Sequence, residues 1–350
     1  MLILLFLLAA ATVSAQAPAP VQGLPYLRPV WSRVADLNGE LGSVESVEFS
    51  PDGRLLASVT KYSNEIAVWR TSDGTLLWTY PTAEEQEVAV FSPDGKWLAS
   101  GGEDRVLRVL DAATGKLVLS LPHPAAIDAL NWSPDGSRLA TGDEAATLRL
   151  WVMPEGKLLS SASAGKEAIN EIDFSPDGAL LLVAADSLGA KVFHTRDLSL
   201  AKTFAHNGQS PRTTARFSTD GKLLAVGGAG GHILLWDYAS AKLLRAFNFT
   251  GQKVETLIFH RDGEHLLYAG HDPHIRVLRL RDGAIVHLSP PVDHAEYVTV
   301  SRNGSWVASA HQDGIIRLWV WMRGDPALNK RLHNQLLKKQ AQSAPGNPIN

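Results

Sequence analysis

The chain has 350 residues and a mass of 37.8 kDa, with Lys+Arg 33 against Asp+Glu 36 and a formal charge of −3. It contains no cysteine, which excludes disulfides, thiolate zinc sites, cysteine nucleophiles and thioether-linked haem. Without a basic excess, nucleic acid is not expected as the main partner, because phosphate binding needs concentrated positive charge.

Residues 1–13, MLILLFLLAAATV, are apolar apart from Thr12. The run is too short to span a bilayer. Val13 and Ala15 put small residues where a signal peptidase reads, so 1–15 is expected to be a signal peptide and the chain exported, periplasmic or secreted. No transmembrane segment is expected after cleavage. No Lys or Arg precedes the run, which keeps an uncleaved N-terminal anchor as the alternative. Residues 16–27, rich in Ala and Pro, read as an extended linker.

From residue 28 to 321 one repeat governs the chain. FSPDG stands at 49–53, 91–95 and 174–178, and WSPDG at 132–136. Weaker copies are FSTDG at 217–221, FHRDG at 259–263 and VSRNG at 300–304. A second series keeps the same phase: Trp69, Leu110, Trp151, Phe193, Trp236, Leu278 and Trp319. In both series neighbours are 41 to 43 residues apart. Asp-Gly between apolar runs marks a tight hairpin turn, since Gly takes positive φ without a Cβ penalty. Each repeat has room for four short strands, which is the content of a propeller blade.

At these residues the chain resembles the WD-repeat (WD40-like) β-propeller family, as a divergent exported member. The resemblance implies an all-β fold: a seven-bladed β-propeller of four-stranded antiparallel blades. The last repeat stops after its third strand, so 30–37 is expected to supply the fourth and close the ring. The literal Trp-Asp pair occurs once, at Trp236-Asp237. The family's His–Ser/Thr–Trp–Asp network is complete in no repeat. Repeat three has His123, Thr141 and Trp151 but Ala145 at the acidic position, and repeat seven has Ser309, Asp313 and Trp319 with no His in phase. This polar staple therefore reads as decayed.

The usual catalytic and cofactor strings are absent: no HExxH, GxSxG or GKS/T. Gly227-Gly228-Ala229-Gly230-Gly231 lies between two strands and reads as a turn, not as a phosphate cradle. The late histidines, His260, His265, His271, His274, His287, His294 and His311, read as solvated turn and blade-face residues. Arg108, Arg149, Lys191, Arg276 and Arg317 stand two before the third-strand anchor, and their heads are expected to reach water. No catalytic residue, metal site or cofactor is assigned.

The sharpest signal beyond the fold is acidic. The resemblance implies that the residue four before each inner-strand anchor faces the rim of the central channel, where partners commonly bind. Those positions are Glu45, Glu87, Asp128, Asn170, Thr213, Glu255 and Glu296. Five of the seven are acidic, in a chain with 36 acidic residues among 350. The neighbouring turns add Glu103, Glu144, Asp186 and His271. Crowded like charges cost stability unless a partner offsets them. The expected function is a non-enzymatic scaffold that binds a basic peptide or protein through this face. The alternative is a propeller enzyme, of lactonase or hydrolase type, with a metal held by the same carboxylates.

The tail, 322–350, leaves the repeat. Leu328, Leu332, Leu336 and Leu337 recur at helical spacing among Lys330, Arg331, Lys338 and Lys339. A short basic amphipathic helix is expected, docked on the propeller's underside or in weak contact with a membrane or partner.

Overall fold

The computed structural model describes residues 24–35, 42–185, 189–204, 214–249 and 253–323. The signal segment, most of the linker and nearly all of the tail, including Leu328, Leu332 and Leu336, lie outside the described residues. Among those described, 28 strands form seven four-stranded antiparallel sheets. Blades 1 to 6 occupy 44–81, 86–122, 127–163, 169–204, 214–248 and 254–288. Blade 7 takes its three inner strands from 295–323 and its outer strand from Pro25–Val34.

That closing strand pairs antiparallel with Ile315–Arg323, from Pro25 opposite Arg323 to Val34 opposite Ile315. It lies several residues earlier than the 30–37 expected, and it takes in the last three residues read as linker. Leu27 explains the shift: it is 2% exposed and packs with Leu267, Val277 and Trp319, which anchors the earlier residues. The strand also reaches the neighbouring blade. Trp31 Nε1 donates to Thr71 O at 2.8 Å, and Arg33 Nε to Gly74 O at 3.0 Å. Closure leaves the ring without a free seam.

The repeated Ser-Pro-Asp-Gly turn has a mechanism. Gly53 has φ +71° and donates its N–H to Ser50 O at 2.8 Å. Ser50 Oγ donates to Asp52 Oδ1 at 2.7 Å and accepts from Leu55 N at 2.9 Å. The hydroxyl thus bridges the turn to the next strand, which is why Ser recurs there.

Apolar side chains from adjacent blades mesh into shared clusters. Val47, Phe49 and Trp69 of blade 1 pack with Trp306, Leu318 and Val320 of blade 7. Ala57 and Val68 of blade 1 pack with Phe91, Leu98 and Leu110 of blade 2. Each blade covers its neighbour, so the core is a ring and not a centre. The inner strands surround an axial channel.

Several expectations about polar residues are corrected. His260, His265 and His311 are buried, not solvated. His260 takes the place of the turn serine, bonds to Gly304 O at 2.9 Å and stacks on Trp321 with ring centroids 3.8 Å apart. The arginines before the third-strand anchors do not send their heads to water. Arg108, Arg276 and Arg317 pair with Asp104, Asp272 and Asp313 of the turn from the second to the third strand, Arg149 pairs with Asp143 at the end of the second strand, and Lys191 donates to Ala164 O. A guanidinium this close to a fixed carboxylate gains more from a charged hydrogen bond than from exposure.

Candidate functional site

Near the start of each inner strand with a described upper end, the pairing slips by one residue. In blade 1 Val44 pairs with Thr60 and Ser46 with Val59, which makes Glu45 the extra residue. The same slip singles out Glu87, Asp128, Asn170, Glu255 and Glu296. A bulge re-aims its extra side chain away from the regular pleat. All six line one axial cavity of about 630 Å³. Glu103 and Glu144, from the turns between second and third strands, line it too. Thr213 and Asp186 lie outside the described residues. His271 does not line the cavity, but its Nε2 stands 2.9 Å from the Glu255 carboxylate.

The mouth is not uniformly charged. Glu255 is paired with Lys253 at 2.5 Å as well as with His271, so blade 6 balances its own acid. Glu296 accepts from Gln312 Nε2 at 2.5 Å. Lys61 sits by Glu45, Glu85 and Glu87; burial works against its charge, but the three carboxylates hold its pKa above the ordinary lysine value. Blades 2 and 3 are different. Burial, with Glu144, Glu85 and Glu84 alongside, pushes Glu103 above the ordinary carboxyl range. Carboxylate oxygens of Glu103, Asp128 and Glu144 lie within 4.8 Å of one another, as do those of Glu85, Glu87 and Glu103. The acidic ring is therefore an acidic arc centred on Glu103.

Sequence reasoning missed a second ring deeper in the channel. The residue immediately before each inner-strand anchor also lines the cavity: Glu48, Val90, Asn131, Asp173, Arg216, Ile258 and Thr299. These positions recur with the period already found, and that spacing was the available signal. Arg216 of blade 5 pairs with Glu171 of blade 4 and donates to the Tyr297 hydroxyl of blade 7 at 2.7 Å. Blades 5 and 7 are not neighbours, so this link is a strut across the channel that floors the acidic mouth. Glu48 accepts from Thr299 Oγ1 at 3.0 Å. Burial raises its pKa to about 7, against the opposing pull of that bond, Arg216 and Arg261. Burial also raises Glu171 and Asp173, although Arg216 favours their charged forms. At the opposite mouth Arg261 and Arg302 stand where blades 1 to 4 carry the turn prolines Pro51, Pro93, Pro134 and Pro176.

A family model described as the IFT122 first beta-propeller matches residues 43–331. The chain belongs to the WD-repeat β-propeller family. It is similar to the COMPASS component SWD3 of Saccharomyces cerevisiae, 24% identical over 305 residues, covering 79% of this chain and 94% of that protein. It is also similar to transducin beta-like protein 3 of Rattus norvegicus, 30% identical over 157 residues, 44% of this chain and 20% of that one. Eukaryotic translation initiation factor 3 subunit I of Aspergillus terreus is 27% identical over 214 residues, 56% of this chain and 62% of the relative. The chain thus spans nearly all of one relative and only part of the others. WD-repeat propellers are typically protein-interaction scaffolds and generally not enzymes.

The network that holds a WD-repeat blade is rebuilt here more than it is lost. In blade 3 Thr141 Oγ1 meets His123 Nε2 and accepts from Trp151 Nε1, both at 3.0 Å. Asp143, fully buried and bonded to Arg149 and Thr147 N, supplies the carboxylate that Ala145 cannot. In blade 7 Ser309 Oγ accepts from Trp319 Nε1 at 2.9 Å and meets His311 Nε2 at 2.7 Å. That histidine comes from the strand itself, out of phase, which is why the sequence pattern did not show it. In blade 2 Gln86 does the same work, accepting from Ser100 Oγ at 3.1 Å.

Proposed function

We propose that the protein is a non-enzymatic scaffold whose acidic channel mouth binds a cationic peptide or protein segment. The observation that carries this is the bulge: in each of the six blades where this position is described it presents one side chain to the same opening, and five of those six are acidic. The crowding around Glu103 favours entry of positive charge there, on blades 2 and 3. Complementary charge of this kind raises the association rate and makes it salt-dependent. The segment 1–15 supports export, which puts the partner in the periplasm or outside the cell.

The test is binding of a synthetic Lys/Arg-rich peptide, and capture from an envelope extract, by the parent and by a triple variant Glu87→Lys, Asp128→Lys, Glu144→Lys. Weakened binding of both, with an unchanged melting profile, supports the reading. Unchanged binding removes the acidic mouth from the account. A second reading, a hydrolytic propeller with a bound cation, draws on the convergence of Glu103, Asp128 and Glu144. Stoichiometric metal surviving dialysis would favour it over the scaffold.

A further inference from the structure

Arg261 and Arg302, at the end of the channel opposite the carboxylates, are exposed and line the axial cavity. Blades 1, 2 and 5 offset the positive charge of this turn within the turn itself: Arg54 pairs with Asp52, Lys96 with Asp94 and Lys222 with Asp220. Blade 7 has Asn303 where the other six blades have aspartate. Blade 6 keeps Asp262, but its oxygens are already taken. Oδ1 accepts from Glu264 N at 2.9 Å and His265 N at 3.2 Å. Oδ2 stands 2.9 Å from His265 Nδ1, 3.1 Å from His260 Nδ1 and 2.6 Å from Arg323 Nη2. Among the described residues neither Arg261 nor Arg302 makes a hydrogen bond or an ion pair. Glu48 and Asp173 feel the Arg261 charge from inside the channel, but burial works against the charged form of both.

Arg261 also borders a side pocket of about 320 Å³ between the turns of blades 6 and 7. Gly304 lets those turns close on each other: a Cβ there would stand 3.3 Å from both Arg261 Cβ and His260 Cε1. Asn303, Ser305, Trp321 and Arg323 complete the lining. The Trp321 ring stacks on His260, and its Nε1 is buried with no hydrogen-bond partner. A buried N–H without an acceptor is costly and rare in native proteins, so an oxygen that meets it is favoured. The pocket and the mouth thus combine two arginines lacking a counter-ion with an orphan donor, and the one carboxylate between them is already engaged.

We propose that this mouth binds a phosphate-type oxyanion, free or as a monoester. Arg261 and Arg302 supply two guanidinium forks from adjacent blades, and Trp321 supplies a single N–H from the third strand of blade 7. A carboxylate takes its donors in one plane, as a fork-to-fork pair does. A phosphate presents oxygens in several directions, which suits donors that arrive from separate elements. The site lies at the far end of the channel from the acidic mouth and does not depend on what binds there.

The readout is the Trp321 indole N–H resonance of the isotope-labelled full chain, assigned by its loss in Trp321→Phe. Calorimetry gives the affinities independently of that assignment. The titrants are inorganic phosphate, phenyl phosphate and acetate at fixed ionic strength. The expected result is a saturable shift with both phosphates and none with acetate. The tighter of the two phosphates tells whether the ligand is free or esterified. Arg261→Gln and Arg302→Gln should each weaken binding by about tenfold or more. Arg54→Gln, which removes a turn arginine that has its own aspartate, should leave it unchanged. Either of the first two variants decides the point if it keeps the parent's melting profile. Three results would each overturn the proposal: no saturable shift up to about 50 mM phosphate, an equal response to acetate, or arginine variants that bind like the parent.

Discussion

Replacing Glu48 by Gln should stabilise the propeller in alkaline solution and leave it unchanged in acid. Glu48 titrates near 7 in the folded channel against 4.5 for the free group, because burial outweighs the help of Thr299, Arg216 and Arg261. Below the lower value both states hold the proton and the group contributes nothing. Between the two values the unfolded chain releases the proton while the folded one keeps it, so stability falls as pH rises. Above the upper value the loss is complete. At about 1.4 kcal/mol per unit the ceiling is about 3 kcal/mol. Channel water that reaches the carboxylate lowers this figure, whereas Gln keeps an acceptor for the Thr299 hydroxyl. Urea unfolding of parent and variant, read at several pH values from about 4 to about 8, gives the difference curve directly. A variant that is less stable at the alkaline end, or equally shifted at both ends, would refute the reasoning.

Other outcomes follow from single contacts. Thr141→Val removes the hydroxyl shared by His123 and Trp151 in blade 3 and strands two buried donors or acceptors. It should cost about 1–3 kcal/mol in urea unfolding, and an unchanged midpoint would show that the network does not hold the blade. Leu27→Ala empties a buried site in the closing strand and should cost about 2–5 kcal/mol, seen as a lower melting temperature. A loss below about 1 kcal/mol would mean that the strand's first residues do not secure the ring. Gly115→Ala places a Cβ 2.7 Å from the Trp78 ring at a φ of +70°, so it should destabilise by more than the typical surface change. Calorimetry would expose the error if the variant melted with the parent.

The ring of blades was legible because each blade repeats the same local solution. Ser50, Asp52 and Gly53 build their turn from neighbours in sequence, so the pattern and its mechanism coincide. The rim positions were legible for the same reason: a fixed offset from the anchor falls on the bulge in every described case. The deeper ring at Glu48, Asp173 and Arg216 shares that period. Its meaning depends on what stands across the channel, however, and no spacing along the chain reports this. His311 and Asp143 escaped the pattern because hydrogen bonding tests position in space and not phase in the repeat.

The sequence by itself determined the number of blades, the turns, the anchors and the identity of the rim residues, since all of these rest on local geometry repeated at one period. Only the tertiary structure decided how their charges combine. Closure brings Arg216 to Tyr297 over a gap of 81 residues, pairs Glu255 with Lys253 and His271, and crowds Glu103 against three other carboxylates. Coulomb and hydrogen-bond energies depend on distance through space. The near-neutral total charge therefore holds an acidic arc at one mouth of the channel and two arginines at the other.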